Sequence, residues 1–206
     1  MTDTVTDTVT DHDSSITGIL LAAGAGRRLG TPKALVEFAG ERLVDRGVRL
    51  LEGGGCHPVV VVLGAALAPV RGAVTVLNPD WETGMASSLR VGLAAMPDSA
   101  EAVVIALVDQ PLIRPEAIKR LISAYRKGAA IAVATYHGKP RNPVIVGREY
   151  VHDLTESLHG DAGARPFLRA HPELVTEIPC DDAGDPADID EAADLAALSA
   201  RERPAE

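Results

Sequence analysis

Two periodicities alternate along the chain. Residues 16–22, 59–63, 102–108 and 131–135 are near-continuous apolar runs of strand length, and 74–77 is a shorter one. Unbroken apolarity marks strands covered on both faces, as in a parallel sheet. Between these runs the spacing turns helical. Leu43, Val44, Val48 and Leu51 share one face that ends at Gly53-Gly54-Gly55. Leu89, Gly92, Leu93 and Met96 stand at i, i+3, i+4 and i+7 of a helix predicted over 85–96. Ile118, Leu121, Ile122 and Tyr125 follow Pro115 and stop at Gly128. This alternation predicts an α/β fold: a single Rossmann-like domain with a mostly parallel sheet over 16–200.

The ends and the third quarter read differently. Residues 1–15 repeat Thr-Asp-Thr-Val and offer no apolar face, so a disordered tail is expected. After Thr135 the alternation falters. Residues 136–143 read as a polar loop carrying Lys139 and Arg141, 144–146 as a short strand out of simple order, and 152–160 as mixed. This stretch, through Asp161-Ala162-Gly163-Ala164-Arg165, reads as a short mixed insertion, either lining a second substrate's pocket or decorating the surface. A strand is predicted over 174–179 and a last helix over 191–198, with Asp190 as a candidate N-cap. An acidic run precedes that helix; such runs are usually solvated.

The chemistry concentrates behind the first strand. Residues 16–35 read ITGILLAAGAGRRLGTPKAL, in which Gly24, Gly26 and Gly30 interleave with Arg27, Arg28 and Lys33. Glycines let the backbone curl round a ligand, and inward-turned amides make an anion nest. A dinucleotide fingerprint fits poorly, because the third glycine comes one residue late and no carboxylate follows the second strand. A P-loop also fits poorly, since Thr31 and Pro32 separate Gly30 from Lys33. Asp109 follows the most apolar run and would stand at the carboxyl edge of the sheet beside the nest. It could hold Mg²⁺ against phosphates, or simply cap or pair at a turn. Ser87 and Ser88, in the first turn of the 85–96 helix, could meet a polar ligand edge or cap the helix.

Composition sharpens this picture. The 206-residue chain carries a net charge of −9, which argues against nucleic-acid or membrane partners and makes the basic loop a local exception. Aromatics are only 3%, so the core must be aliphatic. Cys56 and Cys180 lack metal-ligand spacing. No apolar run reaches membrane-spanning length and no secretory signal is visible, so a cytoplasmic location is expected.

The loop LAAGAGRRLGTPKAL resembles the signature of the MobA-like nucleotidyltransferases, the family with a nucleotide-diphosphosugar transferase fold. NPDWETGMASSLRVGL, LVDQP, RNPVIV, GDAGAR and DIDEAADL resemble further family segments in the same order. Ala23 and Gln110 are similar to the molybdenum cofactor cytidylyltransferases, whereas Glu191, Ala192 and Ala193 depart from the family's usual Thr-Pro-Glu, and Leu29 replaces its usual Met. The resemblance implies transfer of CMP from CTP to molybdenum cofactor with release of pyrophosphate. The same fold also serves GTP or a sugar- or polyol-phosphate acceptor, or a non-catalytic cofactor chaperone. By the same resemblance, Leu21, Ala22, Ala23, Gly24, Ala25, Gly26, Gly84 and Ser88 would bind nucleotide. Arg28, Lys33 and Asp109 would be catalytic, and Asp109 with Asp190 or Asp188 would hold Mg²⁺. Lys139, Asn142 and Arg165 would meet the phosphorylated acceptor, and a molybdoenzyme would be a further partner.

Overall fold

The computed structural model describes residues 15–202, so the tail expected over 1–15 lies, apart from Ser15, outside the described residues. In chain order the elements are β1 (Ser15–Leu21), β2 (Glu37–Phe38), β3 (Glu41–Arg42), α1 (Leu43–Gly54), β4 (Val59–Leu63), β5 (Val74–Leu77), α2 (Met85–Ala94), β6 (Ala100–Leu107) and α3 (Pro115–Arg126). There follow β7 (Ile131–Tyr136), β8 (Lys139–Gly147), α4 (Arg148–Ser157), α5 (Arg165–Ala170), β9 (Val175–Pro179) and α6 (Ala192–Glu202). Seven strands form one sheet in the order β5-β4-β1-β6-β8-β7-β9. Only β8 runs against its neighbours, pairing antiparallel with both β6 and β7. The predicted α/β, mostly parallel architecture is what is observed.

The continuous apolar strands follow from two-sided burial. Side chains alternate across a strand. Leu20, Val61 and Val104 enter one core, with Leu43 and Leu51 of α1, Ile118 and Leu121 of α3 and Leu198 of α6. Ile19, Val62 and Ile105 enter the other, with Leu89 of α2, Leu154 of α4 and Phe167 of α5. α1 and α3 meet at Gly54, where an added Cβ would lie 2.3 Å from Cβ of Ile118. Neither helix can give way without disturbing the sheet beneath. Gly54→Ala is therefore expected to destabilise the fold by about 1–3 kcal/mol, read as a lower urea midpoint at unchanged m-value.

The mixed region departs most from expectation. The stretch read as a polar loop over 136–143 is a tight hairpin. His137 and Gly138 both adopt positive φ, 51° and 68°, the two-residue turn that matches strand twist. β8 is thus nine residues long, not three. Its pairing with β7 slips between Val133↔Val144 and Ala134↔Arg141, leaving Asn142 and Pro143 as a bulge. Proline has no N–H for the ladder, and bulges re-aim side chains near sites. Helices α4 and α5 carry little periodic signal, because each buries only one residue, Leu154 and Phe167. Among the described residues no helix is long and apolar enough to cross a membrane.

Candidate active site

β1, β4 and β6 are parallel neighbours, so the loops after them leave the same sheet edge. The glycine-rich loop after β1 is tied down on both sides. Ala22 N donates to Val62 O at 2.9 Å, and Ala23 O accepts from Ala65 N at 3.0 Å. It then curls on its own carbonyls: Gly26 O accepts from the amides of Leu29 and Gly30, and Gly24 O from Lys33 N at 3.1 Å. Gly26 has φ 57°, and a Cβ there would fall 2.0 Å from Thr31 O, so no other residue fits this curl. The amides of Gly24, Ala25, Gly26, Arg27 and Arg28 donate to no acceptor among the described residues. Five free donors in one turn are what an anionic ligand requires.

Lys33 leaves the end of this loop and meets the loop after β6. Its Nζ lies 2.5 Å from Asp109 Oδ2 and 2.7 Å from Asp190 Oδ1. Arg28 reaches Asp190 Oδ2 at 3.0 Å. Asp109 is 76 positions from Lys33 along the chain and Asp190 is 157. The backbone enforces their meeting, because Ile189 N donates to Asp109 O at 2.8 Å. Burial works against the Lys33 charge, but the charge and hydrogen bond of Asp109, then Asp190, outweigh it, so the ammonium is held above its usual range. The hydrogen bond from Lys33 holds the Asp190 carboxyl below the usual carboxylate range, aided by the charges of Lys33 and Arg28. Asp109 Oδ1 is buried without a hydrogen-bond partner among the described residues.

Asp188 and Asp190 take different roles. Asp188 Oδ1 accepts from Gln110 Nε2 at 2.8 Å, while Asp190 faces Lys33. Partial burial, then the charge of Asp109, pushes the Asp188 carboxyl up. Nor does Asp190 cap the last helix. Asp194 does so, its Oδ2 accepting from the amides of Asp190 and Glu191 at 3.0 and 2.9 Å. An acid at the third helical position reaching back in this way is a capping-box arrangement, a spacing legible in the sequence. It frees the Asp190 side chain for the site.

Beside the loop lies a cavity of about 510 Å³, lined by Ala23 to Arg27, Lys33, Trp81, Gly84, Ser88 and Asp109. Gly84 has φ 117°, and a Cβ would come 2.5 Å from Gly160 O. The first turn of α2 is already closed: Met85 N donates to Asp161 Oδ1, Ala86 N to Gly160 O and Ser87 N to Gly84 O. These amides are therefore taken and not open to a ligand, and Asp161 is a residue that spacing alone did not reveal. Ser88 Oγ accepts from Asn78 Nδ2 at 3.0 Å, and its own hydrogen has no acceptor among the described residues. A second cavity, about 760 Å³, adjoins the first across Leu21, Met85, Leu107 and Asp161. Asn142 and Arg165 line it, whereas Lys139 lines a further pocket of about 450 Å³ beyond.

Residues 18–175 match the sequence profile of the MobA-like NTP transferase domain. The chain belongs to this family. It is 40% identical over 189 residues to the nicotine blue oxidoreductase of Paenarthrobacter nicotinovorans, covering 85% of this chain and 92% of that one. The crystal structure of the Rv0371c homologue from Mycobacterium sp. strain JC1 superposes with a TM-score of 0.81 at 34% identity, over 91% of this chain and 96% of that one. Rv0371c of Mycobacterium tuberculosis H37Rv in complex with manganese gives a TM-score of 0.75 at 28% identity, over 90% and 98%. The chain is accordingly a nucleotidyltransferase of the MobA-like type.

Among the described residues no cluster of three or more His, Cys, Asp or Glu gathers to hold a metal by itself. Mg²⁺ commonly needs only one or two carboxylates, with substrate phosphates completing its shell. Asp109 and Asp190, which share Lys33, fit that requirement, and Asp109 Oδ1 has no hydrogen-bond partner among the described residues.

Proposed function

We propose that this MobA-like transferase moves CMP from CTP to a phosphorylated acceptor, molybdenum cofactor, and releases pyrophosphate. An acceptor phosphate oxygen attacks the α-phosphorus in line; the new P–O bond forms as the bond to the β-phosphate oxygen breaks, and pyrophosphate leaves. Such a displacement needs positioning and charge stabilisation rather than a protein nucleophile. The free amides of Gly24 to Arg28 hold the triphosphate. Lys33 and Arg28 face the charge that builds on the α-phosphate and the leaving group. Gly84 and the free hydroxyl hydrogen of Ser88 read the base edge. Asp109 and Asp190 would hold Mg²⁺, which supplies charge neutralisation on phosphate oxygens when bound. Asn142 and Arg165 meet the acceptor, and a molybdoenzyme receives the product.

One observation carries this reading: a lysine set 2.5 and 2.7 Å from two carboxylates, at the end of a loop whose amides from Gly24 to Arg28 find no acceptor among the described residues. Binding a nucleotide does not by itself call for that second carboxylate. The choice of CTP and of molybdenum cofactor is supported by Ala23 and Gln110. Pyrophosphate release, assayed with CTP and GTP, with and without Mg²⁺ and molybdenum cofactor, tests it. CTP-dependent release only in the presence of acceptor and metal is expected. Nucleotide binding with no release for any acceptor would leave a cofactor-carrying role instead.

A second reading takes up the name of the relative from P. nicotinovorans. There the two adjoining cavities would serve a redox reaction. Electron transfer catalysed by the chain, in place of pyrophosphate release, would favour it. Redox chemistry gives the Lys33–Asp190 contact no task, which is why nucleotidyl transfer is preferred.

A further inference from the structure

Four cations crowd the far end of the acceptor side. Lys139 and Arg141 come from β8, just before its bulge, and Arg165 and Arg169 stand one helical turn apart on α5. All four line one pocket, in which Glu177 is the only acid. None of them joins an ion pair among the described residues. In a chain of net charge −9, with most of its other arginines tied to acids, such a cluster is a local exception.

These cations stand in the wrong place for the reacting phosphate. An attacking oxygen must come within about 3–3.5 Å of the α-phosphorus. That centre belongs with Lys33 and Asp109 in the first cavity, whose lining includes none of the four. Arg141, Arg165 and Arg169 also line the second cavity, together with the apolar Leu21, Leu107, Val133, Val144 and Leu168. The family resemblance groups Lys139 and Arg165 with the acceptor's phosphate; Arg165 lines the second cavity, whereas Lys139 lines only the pocket beside it.

We infer that the acceptor carries a second anionic group, held away from its reacting phosphate by a body that spans the second cavity, and that Lys139, Arg141, Arg165 and Arg169 form the subsite for that group. The inference rests on the transfer reading and deepens it. Beyond the bulge at Asn142–Pro143, Lys139 and Arg141 stay paired with β7 in the sheet, and Arg165 and Arg169 of α5 line the same pocket. An acceptor with only one charged end would leave the cluster unmatched, and guanidinium groups select oxyanions by paired, charge-assisted hydrogen bonds.

Calorimetric titration of the full chain tests this. A CTP analogue with a methylene bridge between the α- and β-phosphorus is titrated first, with Mg²⁺, and its heat reports on the transfer reading alone. Two probes are then titrated, whether or not the analogue binds: 2-naphthyl phosphate and 6-sulfo-2-naphthyl phosphate. The second carries an anion at each end of an apolar body and should bind at least about tenfold more tightly. In the double variant Arg141→Gln/Arg169→Gln that preference should vanish, with 2-naphthyl phosphate binding as before. Both side chains are exposed, so the fold is not at stake. Equal binding of the two probes, a preference that survives in the double variant, or no heat from either probe overturns the subsite.

Discussion

Lys33→Ala is expected to lower kcat for pyrophosphate release on the order of 10²–10³-fold while the chain still folds. The magnitude is that of removing one preorganised charge-stabilising donor. Its side chain is only 16% exposed, yet it stands at the start of a single 3-10 turn, Lys33–Leu35, and is no part of either apolar core. Losing its hydrogen bonds to two carboxylates costs about 1–3 kcal/mol of stability, and a cooperative thermal transition should remain. A second readout separates the chemical role from a structural one. The ammonium sits against both carboxylates that would hold the metal, so in the nucleotide-free protein it competes with a divalent cation. A unit charge at this range is worth on the order of 1–4 kcal/mol between water-like and surface-like dielectric. Free Mn²⁺, followed by electron paramagnetic resonance, should therefore bind Lys33→Ala at least about tenfold more tightly than the parent. Turnover within a few-fold of the parent, or unchanged Mn²⁺ affinity, would refute this account of Lys33.

Asp109→Asn should reduce turnover on the order of 10³-fold, the largest loss expected from any single substitution here. The change keeps the size of the side chain but removes its charge. It also turns an amide donor or a weaker acceptor toward Lys33, whose closest contact is Asp109 Oδ2. Asp190 stays paired with Lys33 and Arg28, so the loop after β1 keeps one anchor. The nucleotide should then bind almost normally in the absence of metal, through the free loop amides. The gain in affinity that Mg²⁺ brings should be lost. Equilibrium dialysis of CTP with and without Mg²⁺ reads this difference, and an undiminished metal effect in Asp109→Asn would rule out the carboxylate as a metal ligand. Asp188→Asn provides the contrast: its carboxyl is engaged by Gln110, so its effect should be far smaller.

Much of this was written into the sequence because it depends on local periodicity. Continuous apolar runs at Val59–Leu63 and along β6 read as strands buried on both faces, and the 3.6-residue spacing of Ile118, Leu121 and Ile122 as a covering helix, and both are observed. The glycines and cations between 24 and 33 pointed to a candidate anion nest, since backbone freedom and charge are properties of residues themselves. Four things needed the folded chain. The β7–β8 hairpin hid behind polar residues at the start of β8, where three successive residues, Lys139 to Arg141, are exposed and no alternation shows. α5 is too short to show a period. Asp190 was separated from Asp188 only by what each faces, since Gln110 engages one and Lys33 the other. Finally, Lys139 and Arg169, far apart along the chain, share a pocket because a strand and a helix from the mixed region close on each other. Periodicity reports which face of an element is covered; it carries no record of which distant loop arrives at the sheet edge, and that was decided by the order of the strands.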